Sequence, residues 1–209
     1  MTVKGAQALR ADLGLIADLV TPHMRVLDVG CGDGALLAHL AATKAIDARG
    51  IELDQNNVHA AVARGLSVVQ GNADTDLVNY PSDGFDMAIL SQTLQATQRP
   101  KTVLANLARI APKVAVSIPN FGHWAIRLRL LATGRMPSTP VLPMHWYDTP
   151  NIHLCTLRDF AALAAELDLA IAAMFTLNRD GDGRRRDPAR LAWINWSAEI
   201  GVFLLERRR

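Results

Sequence analysis

Apolar positions along the chain fall into two alternating patterns. Short runs that are continuous or of period two alternate with stretches whose apolar residues recur every three or four positions. That alternation predicts a mostly parallel sheet with helices on both faces, an α/β fold. Residues 8–20 place Leu9, Leu13, Ile16 and Val20 on one helical face. Buried strands are predicted over 25–30 (RVLDVG), 47–53 (DARGIEL), 66–70 (LSVVQ), 85–90 (FDMAIL) and 113–119 (KVAVSIP). Helices are predicted between them over 35–42, 55–65 and 101–110, with short connections throughout.

The pattern changes after Pro119. Residues 121–136 (FGHWAIRLRLLATGRM) have helical spacing, and Pro137, Pro140 and Pro143 follow within seven residues. A segment so rich in proline is neither a central strand nor a long helix, so it is expected to run over the surface. A helix over 156–169 starts at Thr156, a candidate N-cap. The last two strands, 170–179 and 201–207, are expected to form a hairpin arm separated by a loop carrying Arg184–Arg186.

With 209 residues, half of them hydrophobic and 20% charged, the chain suits one domain with a packed core. No run of ~18 apolar residues predicts a membrane span, and the polar N-terminus lacks the apolar block of a secretion signal. The cytoplasm is therefore the expected compartment. Cys31 and Cys155 are too few and too far apart for a disulfide framework or a zinc knuckle. The arginine runs 184–186 and 207–209 supply six of the 22 basic residues, leaving 16 against 20 acids. Such runs read as solvated loop and tail rather than as the broad patch of a nucleic-acid binder.

The strongest chemical signal is VLDVGCGDG, residues 26–34. A buried strand runs into Gly30, Gly32 and Gly34, and a helix follows. Glycines let the backbone turn sharply and approach a ligand. The spacing is G-x-G-x-G, with the third glycine one residue early for the dinucleotide fingerprint that seats a pyrophosphate. Asp28 and Asp33 crowd the turn and suit a cation better than a phosphate. Glu52 ends the next strand, where a carboxylate can accept both hydroxyls of a ribose. A cationic nucleoside without phosphate fits all three features, and S-adenosylmethionine is such a ligand. A nicotinamide cofactor and a turn that no longer binds anything are the competing readings.

VLDVGCGDG, GIELD, VVQGNA and FDMAILSQTL resemble the successive motifs of the class I S-adenosylmethionine-dependent methyltransferase fold. The resemblance implies a seven-stranded, Rossmann-like sheet with its last strand antiparallel. It also implies that Gly30, Gly32 and Gly34 line the methionine half, Asp28 sits close by and Glu52 holds the ribose. Cys31, Leu53, Ala73 and Ser91, neighbours of these motif positions, complete the implied pocket for S-adenosylmethionine or S-adenosylhomocysteine. Asn72 stands where that family often has an adenine-contacting aspartate; its amide oxygen can still accept from an adenine amino group.

Three longer strings, ILSQTLQAT, SIPNFGHWAIRLRLLATGRMP and WYDTPNIHLCTLRDF, together resemble the MetW family of methionine biosynthesis. That likeness implies a partner, the MetX-type homoserine O-acyltransferase, which this chain would activate or regulate. The alternatives are a small-molecule methyltransferase of unknown acceptor and a binding module that has lost its cofactor.

The stretch 146–156 (WYDTPNIHLCT) admits several readings. His145, His153 and Cys155 form H-x7-H-x-C, which lacks the paired short spacings of a zinc site. Tyr147, Asp148, His123 and His153 are candidate bases for methyl transfer. Yet Ser91–Leu94 (SQTL) stands where an N-P-P-Y acceptor motif would lie. Trp146 and Tyr147 could instead pack under the helix from Thr156, with Asp148, Thr149 and Asn151 satisfying turn amides. In the preceding helix Trp124, Leu128 and Leu131 share one face, Ile126 and Leu130 lie on another, and Arg127 and Arg129 sit between. A helix apolar on more than one face needs something further to bury against, and Trp with Arg is a favoured interface pair. Residues 121–156 are therefore expected to be a lid and docking insertion in a single domain of 1–209.

Overall fold

Every apolar run predicted as a strand pairs into one sheet. The computed structural model describes residues 9–136, 152–178 and 181–208. The parallel part comprises β1 (Arg25–Val29), β2 (Asp47–Glu52), β3 (Ser67–Gln70), β4 (Met87–Ser91) and β5 (Lys113–Pro119). β6 (Leu169–Leu177), β7 (Gly183–Arg186) and β8 (Ile200–Arg207) complete the order β3-β2-β1-β4-β5-β8-β6-β7. β8 lies antiparallel between β5 and β6. Strand order reverses between β1 and β4, and in open α/β sheets ligands bind beyond the strand C-termini at such a point.

Helices cover both faces. α1 (Ala11–Leu19) and α2 (Ala35–Lys44) bury Ile16, Ala17, Leu36 and Leu40 in one cluster with Val26, Ile89 and Ala115 of the sheet. α4 (Pro100–Ile110) and α6 (Leu157–Glu166) bury Val103, Leu107 and Phe160 on the opposite face with Leu27, Val116 and Phe203. α3 (Gln55–Ala63) closes the β2–β3 crossover over Leu37, Val58 and Val68. Thr156 caps α6 as expected: its Oγ accepts from Asp159 N at 3.2 Å, and Asp159 Oδ2 accepts from Thr156 N at 2.9 Å.

Two features depart from the sequence reading. β6 and β8 do pair antiparallel, but no simple loop joins them. Arg184–Arg186 belong to an eighth strand, β7, whose residues are all exposed. Apolar alternation does not mark a strand with nothing to bury; its arginines suit a solvent-facing edge by deterring pairing with other chains. α7 (Leu191–Ser197) follows, a helix of seven residues that buries Ile194 and Asn195. It is too short to establish a helical period in sequence. α5 (Trp124–Thr133) is helical as predicted but buries none of its residues. Residues 137–151, with Pro137, Pro140, Pro143, His145, Trp146, Tyr147, Asp148, Thr149 and Asn151, lie outside the described residues.

Candidate functional site

β1 runs directly into the glycine turn, and α2 starts at Ala35. Gly30 has φ +71°, and a Cβ there would sit 2.5 Å from Thr93 Oγ1, so glycine lets the turn close against the loop after β4. Gly32 has φ +57° and open space where a Cβ would be. Its amide donates to Glu52 Oε2 at 2.8 Å, while Glu52 Oε1 accepts from Asp54 N at 2.9 Å. Glu52 is thus fixed between the turn and the start of α3. A carboxylate has about four acceptor positions, so the oriented group retains capacity for two vicinal hydroxyls.

Beside the turn lies a cavity of about 270 Å³. Four stretches line it: Val29–Gly30, Ile51–Leu53, Gly71–Asp74, and the loop after β4 with Gln92, Thr93, Ala96 and Thr97. Leu53 is 63% exposed at this rim, and with Ala73 and Ala96 it offers the apolar surface a flat base requires. Asn72 Oδ1 accepts from Asp74 N at 2.9 Å, which leaves one lone pair on that oxygen for a ligand. Asp74 in turn accepts from Gln98 N and Arg99 N at 2.9 and 2.8 Å, fixing the entry to α4.

The other predicted pocket residues fall around this cavity rather than on its lining. Asp28 is buried directly before Val29, and its Oδ1 is the one buried side-chain polar atom without a partner among the described residues. Burial raises its pKa to about 7; Arg10 pulls it down and Glu52 pushes it further up. Cys31 packs with Leu37, Val58 and Val68, and burial drives its thiol well above the usual range, so it is a protonated packing group. Gly34, with Ala61 and Leu66 against it, ends the turn. Ser91 is buried and donates to Asp12 Oδ2 at 3.0 Å.

Of the candidate bases, His123 caps α5, its Nδ1 accepting from Ala125 N at 3.4 Å, and burial lowers its pKa. His153 donates its backbone amide to Gln95 O at 2.7 Å. Neither lines the cavity. Tyr147 lies outside the described residues. Among the described residues, no group of three or more His, Cys, Asp or Glu side chains is placed to hold a metal ion.

The sequence reading passed over Gln92, Thr93 and Asp74 as pocket residues, and Asp12 altogether. Gln92 carries φ +51°, a strained value for a residue with a side chain. Asp12 had a signal: it sits one turn before Ile16 on the buried face of α1, where an acid requires partners.

The fit to an adenosine ligand rests on the oriented Glu52, the open space at Gly32 and the unpartnered Asp28. Residues 10–205 match the family described as methionine biosynthesis protein MetW. The chain belongs to the MetW family. A relative in Rhodopirellula baltica, the bifunctional methionine biosynthesis protein MetXA/MetW, is 29% identical over 209 residues. That match covers 96% of this chain and 33% of the relative. The chain spans a third to a half of the length of the curated relatives it matches, at 33% and 47%. A SAM-dependent methyltransferase from Thermotoga maritima superposes with a TM-score of 0.68 at 15% identity, covering 95% of this chain and 88% of that one. The [4+2]-cyclase SpnF superposes at 0.66 and 19% identity, covering 98% and 85%. This MetW-family chain therefore has the class I methyltransferase fold, with an eighth strand at its edge. A cyclase among its neighbours means that the fold alone does not establish methyl transfer. No helix among the described residues is long and apolar enough to cross a membrane.

Proposed function

We propose that the chain binds S-adenosylmethionine or S-adenosylhomocysteine in this cavity and acts as an accessory subunit of a MetX-type homoserine O-acyltransferase. The observation that carries the ligand half is the pair of acids flanking one glycine turn. Glu52 is oriented by two backbone amides for a ribose, and Asp28 is buried without a partner for Oδ1. When bound, S-adenosylmethionine supplies a methyl group on a positively charged sulfur, and the nearby acids favour that charge. The partner half is supported by the Rhodopirellula baltica relative, whose name joins MetXA and MetW in one chain.

The surface supports docking as well. α5 leaves Trp124, Leu128 and Leu131 exposed, and Arg127 lies 5.5 Å from the ring centre of Trp196 on α7. We read 121–156 as the lid and docking insertion of a single domain, and the cytoplasm as its compartment. S-adenosylmethionine is made from methionine, so a subunit sensing it reports pathway output to the acyltransferase. Such sensing requires the ligand to bind partner-competent and partner-incompetent states with different affinity.

The test is the acyltransferase rate with and without this chain, over a range of nucleoside concentrations. A rate that rises with the chain and responds to the nucleoside is expected. An unchanged rate rejects the accessory role; a change indifferent to nucleoside rejects the sensor. A second reading is a methyltransferase with its own small acceptor in the same cavity. Labelled methyl transfer into a cell extract, lost in Gly32→Arg, would establish it instead.

A further inference from the structure

α7 stands between α5 and the β6–β7 hairpin and presents two tryptophans to solvent. Trp196 and Ser197 lie three and four residues after Trp193, so the three share one face of the helix. Trp196 meets α5 on one side, with the guanidinium of Arg127 over its ring. Ser197 lies on the other, where it lines a cavity of about 190 Å³ with Thr176, Asn178, Asp182, Arg184 and Arg186. Trp193, between them, is 70% exposed. Trp124, Leu128 and Leu131 continue the apolar surface along one face of α5.

A helix of seven residues does not hold itself together in water. Asn120, buried at the end of β5, anchors it: Nδ2 donates to Asn195 O and Ala198 O at 2.8 and 2.7 Å. Asn195 Oδ1 accepts from Arg158 N at 3.4 Å, and Ile194 packs into the core. The tryptophans are thus positioned before any contact is made, which lowers the ordering cost of binding. An exposed apolar surface held this firmly marks an interaction site.

The charges beside it are one-sided. Residues 121–136 and 181–199 hold seven arginines against three acids, Asp182, Asp187 and Glu199, while the rest of the chain holds 15 basic residues against 17 acids. All seven arginines are exposed, and none forms a salt bridge among the described residues. Arg186 Nε donates to Thr176 Oγ1 at 2.9 Å, which holds its guanidinium at the cavity. Such a face complements one that is apolar at its centre and acidic at its margin. A nucleic acid would take the arginines but has no use for the leucines of α5. A membrane would take the leucines but has nothing to seat in a concave basic cavity. The surface of a folded protein offers both.

We propose that this face docks an apolar strip of the acyltransferase against Trp193 and α5, and that the cavity at Arg184 and Arg186 takes a carboxylate side chain from the strip's margin. This rests on the accessory-subunit reading above and names the surface and the chemistry that hold the partner.

The test is binding of the full chain to the purified MetX-type acyltransferase of the same organism, by calorimetry and by association kinetics at low and high salt. Trp193→Ala should weaken the complex at least about 30-fold, the loss of an interface hot spot. Arg184→Glu should weaken it about 10-fold at low salt, mainly through slower association, and by less at high salt. Both side chains are exposed and neither lines the cavity beside the glycine turn. Melting temperature and S-adenosylhomocysteine affinity should therefore match the parent, which separates a lost contact from a lost fold. A complex indifferent to both variants overturns the proposal, and a loss at Trp193 alone overturns its acidic half. Trp193-dependent binding to a second copy, to anionic vesicles or to RNA, with the acyltransferase complex unaffected, overturns it too. If the parent forms no complex, the accessory-subunit reading itself fails and the proposal falls with it.

Discussion

Asp12 on α1 and Asp28 on β1 are both buried acids, in regions built on opposite terms. Around α1, Asp12 accepts from Arg10, Ser91, Ser117 and Gln92, and its carboxylate is held ionised in the interior. At the glycine turn, Asp28 is equally buried and its Oδ1 has no partner. Both are carboxylates on one face of the sheet, so the difference lies in surroundings alone. A fully satisfied buried acid holds structure, and an unsatisfied one stores free energy that a cation can release. The contrast predicts opposite consequences for removing the two charges.

The largest effect is expected at Asp28, and it is stabilising. Its pKa rises from 3.8 to about 7 on folding. The native state therefore holds a proton that the unfolded chain gives up over that interval, and stability falls as pH rises from about 4 to about 7. Above pH 7 the cost approaches roughly 4 kcal/mol. Asp28→Asn should remove it, raising the melting temperature of the ligand-free chain at pH 8 and flattening its pH dependence, while weakening S-adenosylhomocysteine. In the parent, binding a cation at this site releases the proton, so affinity should climb with pH up to about 7. Thermal melts and calorimetry between pH 5 and 8 check both signs; a less stable Asp28→Asn at pH 8 would erase the contrast.

Asp12→Ala should move the other way. It leaves Ser91 and Ser117 buried with only each other to donate to, although Arg10, half exposed, can turn to water. About 2 to 3 kcal/mol of destabilisation is expected, less than for a pair buried on both sides, measurable by denaturant titration. Glu52→Ala belongs to the binding side of the comparison. On the proposed reading two ribose hydrogen bonds are lost, and the Gly32 amide is released, so about 100-fold weaker nucleoside binding is expected.

The same contrast governs what the sequence made legible. The glycine turn and Glu52 can be read because their chemistry is local: glycine spacing after a buried strand and an acid ending the next one. β1, β4 and β5 are visible for the same reason, since burial on both faces writes continuous apolar runs such as MAILS and KVAVSIP. The Asp12 cluster joins residues 79 and 105 positions apart, and no window along the chain brings them together. Ser91 follows a legible strand, but its bond to Asp12 is not legible, because the pleat turns its hydroxyl to the α1 face. β7 escaped because an exposed edge strand imposes no apolar pattern, and α7 because two turns are too few to display a period.

Gln92 is where the two regions meet, and the smallest effects are expected there. It lines the cavity beside the glycine turn, its Nε2 donates to Asp12, and its backbone is held at φ +51°. The amide of Gln92 donates to Ser117 O at 2.9 Å, which binds the strained turn to the end of β5. Gln92→Ala keeps the strain and drops one of several donors to Asp12, so about 1 kcal/mol of destabilisation is expected. Gln92→Gly drops the same donor but relieves a left-handed conformation worth about 1 kcal/mol, against which the freer unfolded chain counts. It should therefore lie about 0.5 to 1 kcal/mol below the parent. If the glycine variant is less stable than the alanine variant by about 1 kcal/mol, the cost of the freer unfolded chain alone, the backbone at residue 92 stores nothing, and the cavity wall is shaped by its hydrogen bonds to Asp12 and Ser117. If glycine is the more stable of the two, the turn after β4 is held under strain by its neighbours, and the satisfied region helps to hold the unsatisfied one in shape.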